Sequence, residues 1–212
     1  VSREYYINDA GNQINNLAAS VNARYLQQLG QTVEFPENGY HGHDIIETAE
    51  RIVRIYGDRF LNMSEEERLK EFRTIALKEK LAALKEDLEA FNVTYDEWFS
   101  EQTLHDANAI KNACDLLTER GYLYEEGGAL WLKATEYGDD KDRVVIRDNG
   151  IPTYFAADIA YHQDKYARGF DRVINLWGAD HHGYIARMKA AVGALGYHPD
   201  QLEVLILQMV SL

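Results

Sequence analysis

Tyr154 and Asp158 stand four residues apart in T-Y-F-A-A-D-I-A-Y-H (153–162), a segment that is otherwise mostly apolar and aromatic and holds no lysine or arginine before Lys165. On a helix this spacing puts both side chains on one face, one turn apart. A carboxylate in such surroundings is costly unless something pairs with it. Carboxylate and phenol together suit a planar cation, because a guanidinium can donate two parallel, charge-assisted hydrogen bonds to a carboxylate. The plain alternative is an internal pair with Arg168, Arg172 or Arg187. Spacing alone favours that internal pair.

Two further clusters carry chemically useful side chains. L-W-G-A-D-H-H-G (176–183) lies where a strand is expected to end and a helix to begin. Open parallel sheets bind ligands outside the carboxyl ends of their strands. Gly178 allows close backbone approach there, and Asp180, His181 and His182 project near the crevice. Consecutive Asp and His can also bind metals that accept nitrogen and oxygen ligands, which makes a metal-dependent phosphoesterase of Asp-His-His type the alternative function. The bland reading is a polar loop with Asp180 capping the next helix. His41-Gly42-His43-Asp44 offers a second metal-like pair, but it precedes a helix and reads more simply with His43 or Asp44 as a cap.

The elements that must position these residues fall into three stretches. Residues 1–35 hold a strand over Ser2–Ile7, a turn at Asn8–Gly11 and a helix to about Gly30, with Leu17, Val21, Tyr25 and Leu29 recurring every four residues. Residues 36–120 read as all-helical. Ser64 and Glu67 form a capping box, Leu77, Leu81, Leu84, Leu88 and Phe91 make an amphipathic stripe, and a helix runs from about Thr103 to Arg120 with Ala107, Ile110, Cys114 and Leu117 on one face. Residues 121–212 return to mixed structure: antiparallel strands near 122–124, 129–134 and 143–147, a helix capped by Thr153, a strand over 172–177, a helix to Gly196, and an apolar run over 204–209. This order implies an α/β fold with a parallel sheet, interrupted by a helical insertion.

Bulk properties narrow the function. The 212 residues are 46% hydrophobic, enough for a sizeable core. No apolar run is long enough to span a membrane, and the first residues do not read as a signal peptide. The single cysteine, Cys114, excludes an internal disulfide and fits a reducing, cytoplasmic setting. The net charge is −13, and residues 37–101 alone carry nine basic against sixteen acidic side chains. Such a surface repels nucleic acid, so any RNA contact has to be local.

Three segments together resemble one family. R-E-Y-Y-I-N-D-A-G-N-Q-I (3–14), G-I-P-T-Y-F-A-A-D-I-A-Y-H (150–162) and I-N-L-W-G-A-D-H-H-G-Y (174–184) are similar to parts of the catalytic domain of bacterial-type arginyl-tRNA synthetases, which are class I aminoacyl-tRNA synthetases. The match is specific over about 1–30 and 120–212 and loose over 36–120, where that family carries a variable helical insertion.

The resemblance makes the parallel sheet Rossmann-type and implies a ligase that activates arginine with ATP and Mg2+ and passes it to tRNA(Arg), with tRNA bound before activation. It implies that Tyr154 and Asp158 hold the arginine side chain and that His181 faces arginine. It also places Gly178 and Asp180 beside the adenosine, while Asn8, Asp9 and Gln13 match a pattern near the pocket without a single role.

The family's His-x-Gly-His and Lys-Met-Ser-Lys motifs do not occur here, and His41-Gly42-His43 lies on the wrong side of R-E-Y-Y-I-N-D to replace the first. The expectation is therefore an excised piece with the first strand of its sheet missing. It should assign no catalytic residue to itself, hold no tightly bound cofactor or metal, bind tRNA weakly or not at all, and self-associate through an exposed sheet edge.

Overall fold

The computed structural model describes residues 1–211 and divides the chain into two compact units, Val1–Gln102 and the residues from Thr103 onward. The first combines helices with one two-stranded sheet and the second with two small sheets, and parallel strand pairing occurs in both.

In the first unit, β1 (Glu4–Ile7) leads through a turn into α1 (Asn12–Gln28). Gly11 at φ 79° and Gly30 at φ 81° bracket this helix in the left-handed region that an L side chain disfavours. Next come α2 (His43–Tyr56) and α3 (Glu65–Ala90). The three helices close on a core of Val21, Tyr25, Ile45, Ala49, Ile52, Phe60, Phe72 and Ala76. The Tyr25 hydroxyl is satisfied there by donating to the Gly57 carbonyl at 2.9 Å. The capping box opens α3 as expected, with Ser64 Oγ accepting from the Glu67 amide and Glu67 reaching back.

Three expectations for the helical stretch need correction. Residues 97–100 form a strand, β2 (Glu97–Ser100), which pairs in parallel with β1 from Glu4↔Glu97 to Ile7↔Ser100. E-W-F-S is too short to show a period of two, but its aromatic pair packs on that of β1, with Tyr5 4.8 Å from Trp98 and Tyr6 6.2 Å from Phe99. The leucine stripe of α3 is only half-buried and Phe91 is exposed, while Phe72 and Ala76 are the buried residues of that helix. A periodic pattern marks a face; it does not say how far a partner helix covers it. Finally, the helix drawn over Thr103–Arg120 is two helices, α4 (Glu101–Asp106) and α5 (Ala109–Glu119). Asn108 adopts φ 52° between them, a conformation that Asn tolerates better than most residues. Ala107 is exposed as a result, whereas Ile110, Cys114 and Leu117 are buried.

In the second unit, β3 (Leu123–Glu126), β4 (Ala129–Leu132) and β5 (Arg143–Ile146) form an antiparallel sheet. Gly127 and Gly128 turn the first hairpin at φ 60° and 78°. Then follow α6 (Tyr154–Ala167), β6 (Val173–Gly178), a 3-10 turn over Ala179–Tyr184, α7 (Ile185–Ala194) and β7 (Leu202–Leu207). Strands β6 and β7 pair in parallel across α7, from Val173↔Leu202 to Gly178↔Leu207. Leu117, Leu132, Val145, Ile159, Met188, Val192 and Leu202 are among its fully buried side chains. One face of the β6–β7 pair remains open, with Ile174, Leu176, Leu205 and Leu207 all exposed.

Candidate functional site

The clearest gathering of candidate residues lies in the second unit, at the start of α6. Thr153 caps that helix: its side chain accepts from the Ala156 amide at 3.4 Å and its hydroxyl donates to the carbonyls of Val144 and Val145. The cap thus fastens the first turn of α6 to β5. Tyr154 follows at once and is 76% exposed, and Asp158 comes one turn later, half-buried.

Asp158 has a partner inside the fold that the sequence did not suggest. The Tyr184 hydroxyl donates to Asp158 Oδ2 at 2.8 Å. Burial, and then the Asp158 charge and hydrogen bond, push the Tyr184 phenol far above its ordinary pKa, so it stays protonated and serves as a donor. The expectation of a carboxylate waiting only for an external cation is corrected to that extent. Of the three internal cations considered, Arg168 binds Asp164 at 2.8 Å and Arg172 pairs with Glu203. Arg187 lies over the Tyr184 ring at 4.6 Å and near Phe155 at 5.8 Å.

Tyr154 and Tyr184 line a cleft of about 350 Å³ together with Arg143, Arg147, Phe155 and Arg187. Arg143 is committed: it grips Asp139 through Nε and Nη2 at 2.6 and 2.8 Å and also meets Asp140. The same contact with Arg143 holds the Asp139 carboxyl below the usual carboxylate range. This pair anchors the start of β5, and with it the cleft wall.

The D-H-H segment forms the 3-10 turn after β6 rather than the first turn of a long helix. Asp180 does not cap it; Gly178 stands at the cap position with no side-chain bond. Asp180 and His181 instead touch each other at 3.1 Å and are both well exposed, as is His182. A Cβ on Gly178 would come within 2.6 Å of Asp180 Oδ1, so only glycine leaves that carboxylate in place. Among the described residues, no three His, Cys, Asp or Glu side chains gather to hold a metal, and the phosphoesterase alternative lacks the ligand set it requires. Trp177 lies 6.0 Å from His181 and 5.9 Å from Tyr184. Tyr184 therefore joins the two candidate segments: its ring meets the strand-end loop and its hydroxyl meets Asp158.

In the first unit, Asp9 is a fastener. It accepts from Ser100 Oγ at 2.6 Å and from the Gln102 amide at 2.9 Å, tying the turn after β1 to the end of β2. Asn8 donates to Gln13 at 3.3 Å, and both line a pocket of about 370 Å³ with Tyr40, His41, Asp44 and Lys80. The capping expectation for His43 or Asp44 is corrected, since Gly42 occupies that position without a side-chain bond. His43 pairs with Glu47 at 3.1 Å, and Asp44 pairs with Lys80 at 2.7 Å, which lowers its pKa.

Tyr184 and His162 escaped attention in the sequence. His162 lies four residues beyond Asp158, the spacing that singled out Tyr154, and that repetition was the available signal. Tyr184 is 26 residues from Asp158, and nothing local connects them.

Comparison with known proteins places the chain in a family. The family model described as tRNA synthetases class I (R), catalytic domain, matches residues 1–210. An arginine–tRNA ligase of Carboxydothermus hydrogenoformans is 59% identical over all 212 residues, and one of Moorella thermoacetica is 58% identical over the same length. The chain spans 38% of the length of each. A Campylobacter jejuni protein assigned as an arginyl-tRNA synthetase superimposes with a TM-score of 0.88 at 42% identity, covering 98% of this chain and 45% of that one. The Thermus thermophilus arginyl-tRNA synthetase shares the fold at a TM-score of 0.66 and 20% identity. Matched from residue 1 to 210, the chain belongs to the class I tRNA synthetases (R) and is part of their catalytic domain.

Proposed function

We propose that this chain supplies the arginine-recognising and nucleotide-facing part of an arginine–tRNA ligase. The observation that carries the reading is the Tyr154–Asp158 pair on α6, tied to the strand-end loop after β6 by the Tyr184 hydroxyl. Asp158 receives the guanidinium of arginine and Tyr154 supplies a phenolic contact beside it. Tyr184 helps to keep the Asp158 carboxylate oriented. His181 faces the amino acid, and Gly178 with Asp180 flank the adenosine.

In the full reaction the arginine carboxylate attacks the α-phosphorus of ATP and pyrophosphate leaves. The terminal ribose hydroxyl of tRNA(Arg) then displaces AMP from the arginyl-adenylate. Mg2+ accompanies ATP as the family's requirement and is given no ligand among these residues. The chain's own part is binding and orientation. With a net charge of −13, contacts to tRNA are confined to local patches and this chain alone binds tRNA weakly. Among the described residues no helix is long and apolar enough to cross a membrane; the proposed setting is the cytoplasm. Residues 1–35 and 121–212 are proposed as parts of one Rossmann-type architecture, with 36–120 as the helical insertion.

The test is arginine kinetics in the full-length protein carrying this sequence, with Asp158→Asn. Losing a charge-assisted bidentate contact should raise KM for arginine by roughly two to three powers of ten, with KM for ATP little changed. An unchanged KM for arginine refutes the assignment of Asp158.

A further inference from the structure

His162 is a buried titratable group that the proposed chemistry does not use. It is 3% exposed, and both ring nitrogens are engaged. Nδ1 lies 2.7 Å from the carbonyl oxygen of Asp158, an acceptor only, so Nδ1 carries the proton. Nε2 is then the acceptor and takes a hydrogen bond from Asn175 Nδ2 at 2.8 Å. Asn175 sits in the middle of β6 and is itself buried; its Oδ1 accepts from Lys165 Nζ at 3.2 Å. The chain of bonds runs from the backbone of Asp158, through the imidazole, to the strand that ends at Gly178.

A helix does not need this link. The Asp158 carbonyl already has a place in the α6 ladder, and its second lone pair is what the imidazole takes. A hydrophobic residue at 162 would fill the space without a polar group to satisfy. Placing two mutually dependent polar side chains in a core is costly unless each is met, and here each is. The result fixes two things relative to each other: the turn of α6 that carries Asp158, and the strand whose end carries the D-H-H loop. Tyr184 makes the same connection on the side-chain face of Asp158, and His162 makes it on the backbone face.

We propose that His162 and Asn175 are a positioning pair for arginine binding, holding the backbone of Asp158 against β6 so that its carboxylate meets the substrate in register. The proposal rests on the reading of Asp158 as the arginine carboxylate and adds residues that touch no substrate. A misplacement of about 1 Å in a pre-organised site can cost roughly a hundredfold, so loss of this tether should be visible in binding.

Three variants of the full-length protein test it, with thermal midpoint, KM for arginine and KM for ATP measured on each. His162→Leu strands the Asn175 amide in the core and should lower the thermal midpoint and raise KM for arginine about tenfold. His162→Leu/Asn175→Leu removes both polar partners together; it should regain most of the thermal midpoint and yet keep the raised KM, because the Asp158 carbonyl is still untethered. His162→Gln retains a donor and an acceptor and should bring KM for arginine back towards the starting value. KM for ATP should stay within about twofold throughout. A KM for arginine that is unchanged in His162→Leu, or that follows the thermal midpoint across the three variants, overturns the proposal. So does a parallel rise in KM for ATP. If His162→Leu fails to fold, the double and Gln variants decide the matter by themselves. Asp158→Asn, run alongside, separates the two readings: if it raises KM while the His162 variants do not, the carboxylate assignment stands and the positioning pair falls.

Discussion

Folding stability should fall with acid over a window set by His162. Burial, reinforced by the nearby Lys165 charge, drives its pKa down from the ordinary 6.5 to about 3. The folded chain therefore leaves the ring neutral at pH 5, whereas the unfolded chain binds a proton there. A depressed histidine costs the folded state stability as pH drops below the unfolded pKa, and the loss grows until the folded pKa is reached. One proton bound only by the unfolded state gives a slope of about 1.4 kcal/mol per pH unit below 6.5. Between pH 8 and pH 5 this amounts to about 2 kcal/mol, a large share of a typical domain's stability.

The assay is urea unfolding at both pH values, followed by tryptophan fluorescence, on the chain and on His162→Gln. The Gln variant cannot titrate, so its stability should change by about 2 kcal/mol less across the interval. Carboxylates contribute equally to both proteins and cancel in the difference. Imidazole nitrogen resonances give a direct check: the Nδ1–H tautomer should persist at pH 5. Equal pH dependence in the two proteins, or a protonated His162 ring at pH 5 in the folded state, would show that the ring is not sealed from solvent and refute the reasoning.

Two other outcomes follow from the site and the open sheet face. Tyr184→Phe removes the hydroxyl that bonds Asp158 at 2.8 Å but keeps the ring packed against Phe155 and Trp177. In the full-length protein, KM for arginine should rise several-fold while the thermal midpoint shifts by only a few degrees; a KM within experimental error of the starting value would remove Tyr184 from the binding apparatus. The exposed Ile174, Leu176, Leu205 and Leu207 face of β6–β7 should pair with a second copy of this chain at high concentration. Sedimentation velocity should then show concentration-dependent association that Leu176→Glu abolishes, and a single monomeric species at all concentrations would count against it.

Much of the local structure was legible in the sequence because local physics decides it. Ser64 with Glu67, Thr153 before Ala156, and Gly127-Gly128 act through hydrogen bonds and dihedrals confined to a few residues, and each sits where its signature predicts. The Tyr154–Asp158 spacing survived for the same reason, since a helix carries residues four apart on one face whatever surrounds it. The misses share a different cause. β2 is a strand because β1 lies beside it, 93 residues away in sequence at Glu4↔Glu97, and nothing within E-W-F-S announces that pairing. Gly193 is required because the Tyr137 ring passes where a Cβ would stand.

By itself the sequence determined the family, the order of the helices and the face on which Asp158 would appear. The family is carried by the resemblance of residues 3–14, 150–162 and 174–184, whereas the helices and that face follow from periodicity and short-range caps. Only the tertiary structure decided what Asp158 touches. Its hydroxyl donor comes from Tyr184 beyond β6, and its backbone tether through His162 ends on Asn175 in β6 itself. Hydrogen bonds reach about 3 Å, so which donor meets a carboxylate depends on how the chain folds back on itself, and spacing along the chain does not encode that.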